Sequence, residues 1–196
     1  GLTGAFALKE GFMDGHILIN LDSEDEGELF IGCAGGANTT AEFAYTEIDA
    51  PQDYFFFKVA IKGLTGGHSG DDINKNRANA NKLLNRFLTQ VAAKYDMYLC
   101  QIDGGNLHNA IPREASAICA IPMKNKEDVR IDMNIYTAEI ENEFSVTEPN
   151  LRIELGSESP CAKAIDRDTV DRLLKSIYAV HHGVYAWSQD MPGLVE

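Results

Sequence analysis

Between residues 54 and 155 the spacing of apolar residues switches repeatedly between a period of two and a period near 3.6. This order restricts the fold more than any other feature of the sequence. Residues 54–62 alternate, with Phe55, Phe57, Val59 and Ile61 on one face of a strand. A glycine-rich loop follows, and then Ala80, Leu84, Phe87, Leu88, Val91 and Tyr95 recur at helical spacing, which predicts an amphipathic helix over 77–95. Strands are expected over 97–102 and 114–121, joined across Gly104-Gly105 as a wide hairpin. A second helix over 126–144 carries the stripe Val129, Met133, Tyr136 and Ile140, residues 151–155 alternate again, and a third helix is expected over 168–180. The order from 54 to 155 is β-α-β-β-α-β. It implies one antiparallel sheet covered by two helices, with an edge strand free to pair with a second copy.

The first fifty residues read differently. Short apolar runs at 16–20 and 29–33 flank the acidic stretch Asp22-Ser23-Glu24-Asp25-Glu26-Gly27-Glu28, and 39–48 alternates as a further strand. Short strands without room for helices between them after residue 16 suggest a piece of sheet from a larger domain. Asp49-Ala50-Pro51-Gln52-Asp53 punctuates the chain, and a domain boundary is expected there, between 1–49 and 50–196.

Charge narrows the choice of partners. Seventeen basic against thirty acidic side chains give a formal charge of −13. A phosphate backbone or an anionic membrane surface would be repelled, so neither nucleic acid nor membrane is expected as a partner. No apolar run approaches the about 20 residues of a membrane span. The four cysteines include no Cys-x-x-Cys pair, and Cys33, Cys100 and Cys119 lie in apolar stretches. Buried reduced thiols and a cytoplasmic location are the expectation. No charged n-region followed by an apolar h-region is visible after Gly1, and the chain reads as a piece of a longer protein.

Three segments could carry chemistry. Asp22 directly follows an apolar strand, where a carboxylate can bind a metal ion such as zinc or simply belong to a polar turn. Gly63-Leu64-Thr65-Gly66-Gly67-His68-Ser69-Gly70 lacks both the Gly-Lys-Ser/Thr of a phosphate loop and the Gly-x-Gly-x-x-Gly pattern. It could present His68 as an oxyanion donor or proton carrier, or form a flexible turn with an incidental histidine. Asn109, in Asn106-Leu107-His108-Asn109-Ala110-Ile111-Pro112, could read a substrate carbonyl or amide, or form a turn. His181-His182 suit a helix C-terminus and need no chemistry, and Cys33 is a weak nucleophile candidate.

These segments carry a family resemblance. Gly1-Leu2-Thr3-Gly4-Ala5, Leu18-Ile19-Asn20-Leu21-Asp22-Ser23-Glu24-Asp25-Glu26-Gly27-Glu28, Gly32-Cys33-Ala34-Gly35-Gly36, the His68 loop with Lys62, and Asn109-Ala110-Ile111-Pro112-Arg113-Glu114-Ala115 all contribute. Together they resemble the aminoacyl-histidine dipeptidases (Xaa-His dipeptidases, peptidase D). These are dinuclear-zinc metallopeptidases akin to carnosinases, tripeptidase T and succinyl-diaminopimelate desuccinylase. The similarity runs from residue 1 to about 86 and again over 104–115, with a weaker echo at 192–196.

The resemblance implies an α/β protein with an α+β lid: part of a zinc-peptidase catalytic sheet over 1–49, followed by a βαββαβ lid or dimerisation domain over 50–196, incomplete at its C-terminal end. It implies hydrolysis of carnosine-like Xaa-His dipeptides by water activated between two divalent metal ions, zinc with cobalt or manganese as alternatives, and a homodimer formed through the lids. Asp22 matches a metal ligand, His68 the lid histidine that steadies the oxyanion across the dimer, and Asn109 the lid asparagine that contacts substrate. The remaining metal ligands, the catalytic glutamate and the carboxylate-holding arginine fall outside these residues. Two other readings stay open: a dimerisation or binding module without hydrolytic activity, and an amidohydrolase of acylated amino acids or tripeptides. The chain alone is expected to be inactive, because one carboxylate supplies too few ligands for a metal centre. Carnosine hydrolysis by contaminant-free purified chain would contradict this.

Overall fold

The computed structural model describes residues 3–19, 21, 26–29 and 35–195. The chain divides into two compact units, Gly1–Thr39 and Thr40–Glu196. In the smaller unit the described residues form one short helix, α1 (Thr3–Phe6), and otherwise irregular backbone. The strand expected over 16–20 is not found at 16–19, where Ile17, Leu18 and Ile19 are exposed. An apolar run becomes a buried strand only when neighbouring strands take its main-chain groups, and the described residues of this unit offer none. The run expected over 29–33 lies outside the described residues beyond Leu29.

The larger unit is built around β2 (Tyr54–Lys62). With β4 (Tyr98–Gly104), β6 (Ala115–Pro122) and β7 (Arg152–Ser157) it forms a four-stranded antiparallel sheet in the order β4-β6-β2-β7. Phe57 stands opposite Cys119 on β6 and Ser157 on β7, and this register continues to Ile61 opposite Ala115 and Ile153. The helices are α2 (Ala80–Lys94), α3 (Lys126–Glu143) and α4 (Arg167–Ala179). The βαββαβ order expected from the sequence is present.

The helix-facing row of β2 explains the layering. Phe55, Phe57, Val59 and Ile61 are buried together with Leu84, Phe87 and Leu88 of α2 and Val129, Tyr136 and Ile140 of α3. The Tyr136 hydroxyl donates to the Leu83 carbonyl at 2.6 Å, fastening α3 to α2. Helix α2 starts at Ala80, later than the apolar spacing predicts, because the Asn79 side chain caps it by accepting from the N–H groups of Asn81 and Lys82 at 3.0 and 3.3 Å. Helix α4 packs against α2, and its last carbonyls are capped from there. Lys82 Nζ donates to the Ile177, Tyr178 and Val180 oxygens at 2.7, 2.9 and 2.6 Å.

The expected strand over 39–48 is restricted to β1 (Glu47–Asp49), which pairs antiparallel with β8 (Lys163–Ile165). Residues 40–46 form no strand because β8 is only three residues long and offers no further partner. Ala164 packs with Ala50, Phe56 and Ala120 on the sheet face opposite the helices, which is why Phe56 is buried although its neighbours in sequence point the other way.

Removing Phe57, with no exposed surface, is expected to cost about 3–5 kcal/mol as Phe57→Ala, against about 1 kcal/mol for Tyr136→Phe. Urea midpoints at constant slope check both values.

Candidate functional site

Two loops meet at one end of the sheet. One leaves β2 at Lys62 and carries β3 (Gly67–His68); the other joins β4 to β6 and carries β5 (Ala110–Ile111). Strands β3 and β5 pair antiparallel, with Gly67 opposite Ile111 and His68 opposite Ala110, and the Ser69 N–H donates to the Asn109 carbonyl at 3.0 Å. His68 and Asn109, 41 positions apart by the difference of their numbers, are thereby neighbours and both exposed. The Ala80 N–H donates to the Pro112 carbonyl at 3.0 Å, so the pair of loops is also tied to the start of α2.

The His68 ring is held by its own loop. The N–H groups of Gly70 and Asp71 point at Nδ1 from 3.1 and 3.3 Å. Two donors aimed at one nitrogen assign it the lone pair, so Nε2 carries the proton of the neutral ring. The Asp71 carboxylate, 3.5 Å from Nδ1, is too distant to compete for that position. The ring therefore offers an N–H donor at its outer edge, which suits an oxygen that gains negative charge.

Asp72 organises the backbone beneath. Its carboxylate accepts from the His68 N–H at 2.8 Å and from Lys75 Nζ at 2.6 Å, and Arg77 Nη1 lies 3.2 Å away. The Lys75 hydrogen bond first, and the His68 N–H second, hold this carboxyl below its ordinary range. Arg77 also donates to the Gly66 carbonyl at 2.6 Å, and Arg113 Nε donates to the Leu64 carbonyl at 3.0 Å. Gly67 sits at φ 143°, where a Cβ would run into Arg77 and Asp72. Glycine is required there by both conformation and space.

Glu148 is the residue that the sequence does not single out. It is 3% exposed, on the turn between α3 and β7. Its two oxygens receive the Thr65 N–H at 2.6 Å and the Ala78 N–H at 2.8 Å, on either side of His68. No periodicity marks a buried glutamate outside helices and strands, so only the packed structure identifies it. His182, expected to serve the end of α4, instead contacts the start of α2: its ring nitrogens lie 3.2 Å from the Asn79 side-chain amide and 3.2 Å from the Arg77 carbonyl.

A groove of about 650 Å³ runs beside the β4–β6 loop, lined in part by Lys58, Lys62, Asn106 and Arg113. Asp22 and Cys33 lie outside the described residues. Among the described residues no group of three or more His, Cys, Asp or Glu could hold a metal ion, so a metal centre is not available from these side chains. Cys119 is buried, as expected, while Cys100 is only half-buried. Burial, with the Cys161 thiol beside it, pushes the Cys100 thiol up to about 12, and burial raises Cys119 as well. Neither supplies a thiolate nucleophile near neutral pH.

Residues 59–148 match the peptidase dimerisation domain. The whole chain is 38% identical to the cytosol non-specific dipeptidase of Escherichia coli (strain K12), covering 40% of that protein. The structure superposes on the aminoacylhistidine dipeptidase of Vibrio alginolyticus with a TM-score of 0.84 and 35% identity, over 100% of this chain and 40% of that one. The chain thus spans about 40% of the length of these relatives. The resemblance read from the sequence blocks is borne out.

Because the folded-state pKa of Asp72 is lowered, its grip on the His68 N–H is complete above the ordinary carboxyl value of 3.8 and is lost as pH falls through the lowered one. The His68 amide resonance is expected to titrate with a midpoint below 3.8, and Asp72→Asn should abolish that step. A midpoint at or above the ordinary value contradicts the assignment.

Proposed function

We propose, from the match of residues 59–148 to the peptidase dimerisation domain, that the chain is part of a metal-dependent dipeptidase. Residues 1–49 belong to the end of a catalytic segment and 50–196 to a lid. Strand β1 (Glu47–Asp49) ends where the lid begins and pairs antiparallel with β8 within it. The observation that carries the reading is the similarity over the full chain, at 38% and 35% identity, to two proteins that are both named as dipeptidases. The pairing of β3 with β5 supports it by setting His68 and Asn109 side by side.

In this reading the Nε2–H of His68 donates to the oxygen of the scissile peptide as it becomes tetrahedral and negative, across a homodimer formed through the lids. Asn109 contacts the substrate backbone through its amide. Asp22 is one ligand of a pair of divalent ions, zinc before cobalt or manganese, whose other ligands come from outside this chain. The parent enzyme works in the cytoplasm. Xaa-His dipeptides are the substrates the sequence blocks favour. The name of the Escherichia coli relative favours a second, broader range in which the C-terminal residue matters less.

In the whole enzyme His68→Ala is expected to lower kcat about 10²–10³-fold with metal content unchanged. Asp22→Ala should lower metal content and activity together. Dipeptide turnover that survives exhaustive chelation, or Asp22→Ala, sinks the metal-dependent reading. A panel of dipeptides, acylated amino acids and tripeptides decides the substrate class.

A further inference from the structure

The loop that carries His68 rests on a turn that has no part in the reading above. Residues 144–151 link α3 to β7, and the approach of the two segments is close: Gly63 has φ 74°, and a Cβ there would meet the Asn150 carbonyl oxygen. Just beyond, the Thr65 hydroxyl donates to the Thr147 carbonyl at 3.1 Å. Glu148 then takes the Thr65 N–H on Oε2 and the Ala78 N–H on Oε1. One carboxylate thereby closes both ends of the segment in which the Gly70 and Asp71 N–H groups orient the His68 ring and Asp72 holds the His68 N–H.

We propose that Glu148 is a positioning residue for His68, acting through the loop rather than on substrate. The choice of side chain supports this. A carboxylate is an acceptor at both oxygens, whereas an amide of the same shape would turn an NH₂ toward one of the two N–H groups. Burying a carboxylate at 3% exposure is costly unless every lone pair direction it uses is matched, and here the matching donors are main-chain groups of the loop itself. A residue needed only to fill the turn would be apolar. The charge is explained by the need to fix two N–H groups of one loop relative to each other, and so to fix where Nε2 points.

The functional part of this inference rests on the role proposed for His68. The test uses the whole enzyme, selectively labelled with ¹⁵N-histidine. Glu148→Gln is expected to lower kcat at least tenfold, with KM within about twofold and metal content unchanged. It should also move the His68 ring nitrogen resonances away from the pattern of an accepting Nδ1 and a protonated Nε2. In a His68→Ala background the same substitution should change kcat by less than twofold, because its route of action has been removed. Unchanged ring resonances with unchanged kcat overturn the proposal, as do effects that multiply in the double variant. If His68→Ala leaves turnover intact while Glu148→Gln still moves the ring resonances, the catalytic role of His68 fails and the positioning role of Glu148 stands. Should Glu148→Gln fail to fold, Glu148→Asp carries the same measurements, since it keeps the charge but shortens the reach by one methylene.

Discussion

Burial of the Phe55, Phe57, Val59 and Ile61 row beneath α2 and α3 is the constraint from which the larger unit follows. Phe56 and Ala60 are buried on the other face, and β2 lies inside the sheet, paired along most of its length with β6 on one side and β7 on the other. That pairing fixes the direction in which the chain leaves Lys62 and enters Ala115. The His68 loop and the Asn109 loop therefore emerge from the same end of adjacent strands and pair as β3 and β5. The juxtaposition of the two polar loops is thus a consequence of an apolar register elsewhere.

The loop itself is ordered by hydrogen bonds rather than by burial. Leu64 anchors its start in the core, but the side chains from 65 to 71 are small or exposed, so little hydrophobic free energy is available to hold that stretch. In its place stand three charged groups, Asp72, Arg77 and Glu148, each bonded to main-chain atoms of the segment. Charge-assisted bonds of this kind are about twice as strong as neutral ones. They also fix direction, which burial does not. A ring that must present one N–H at a defined angle is served by such a scaffold, and the glycines at 63 and 67 let the backbone come close enough to use it.

The parts of the fold that the apolar spacing reveals are those whose neighbours are covered by the same spacing. Tyr54–Lys62 appears with its full expected length, and α3 differs from its expected range by one residue at its end. The beginning of α2 differs because Asn79 caps it, a local side-chain event that hydrophobic periodicity does not register. The runs before residue 47 fail for another reason. Ile17, Leu18 and Ile19 have strand-like composition, but a strand exists only when other strands accept its main-chain bonds, and none of the described residues near them does so. His68 and Asn109 could be singled out because glycine density and polar loops are visible locally. Glu148 could not, since burial of a single glutamate depends on where a turn lands.

The sequence by itself determined the order of strands and helices, the face of each that is apolar, and the family resemblance, because each is written in residue types at short, regular separations. Only the tertiary structure decided that β3 meets β5, that Lys82 rather than His182 caps α4, and that Glu148 reaches both Thr65 and Ala78. These contacts join residues 42 to 98 positions apart, by the differences between His68 and Ala110 and between Lys82 and Val180. Their geometry is set by the packing of whole elements, a quantity that no local pattern of residues contains.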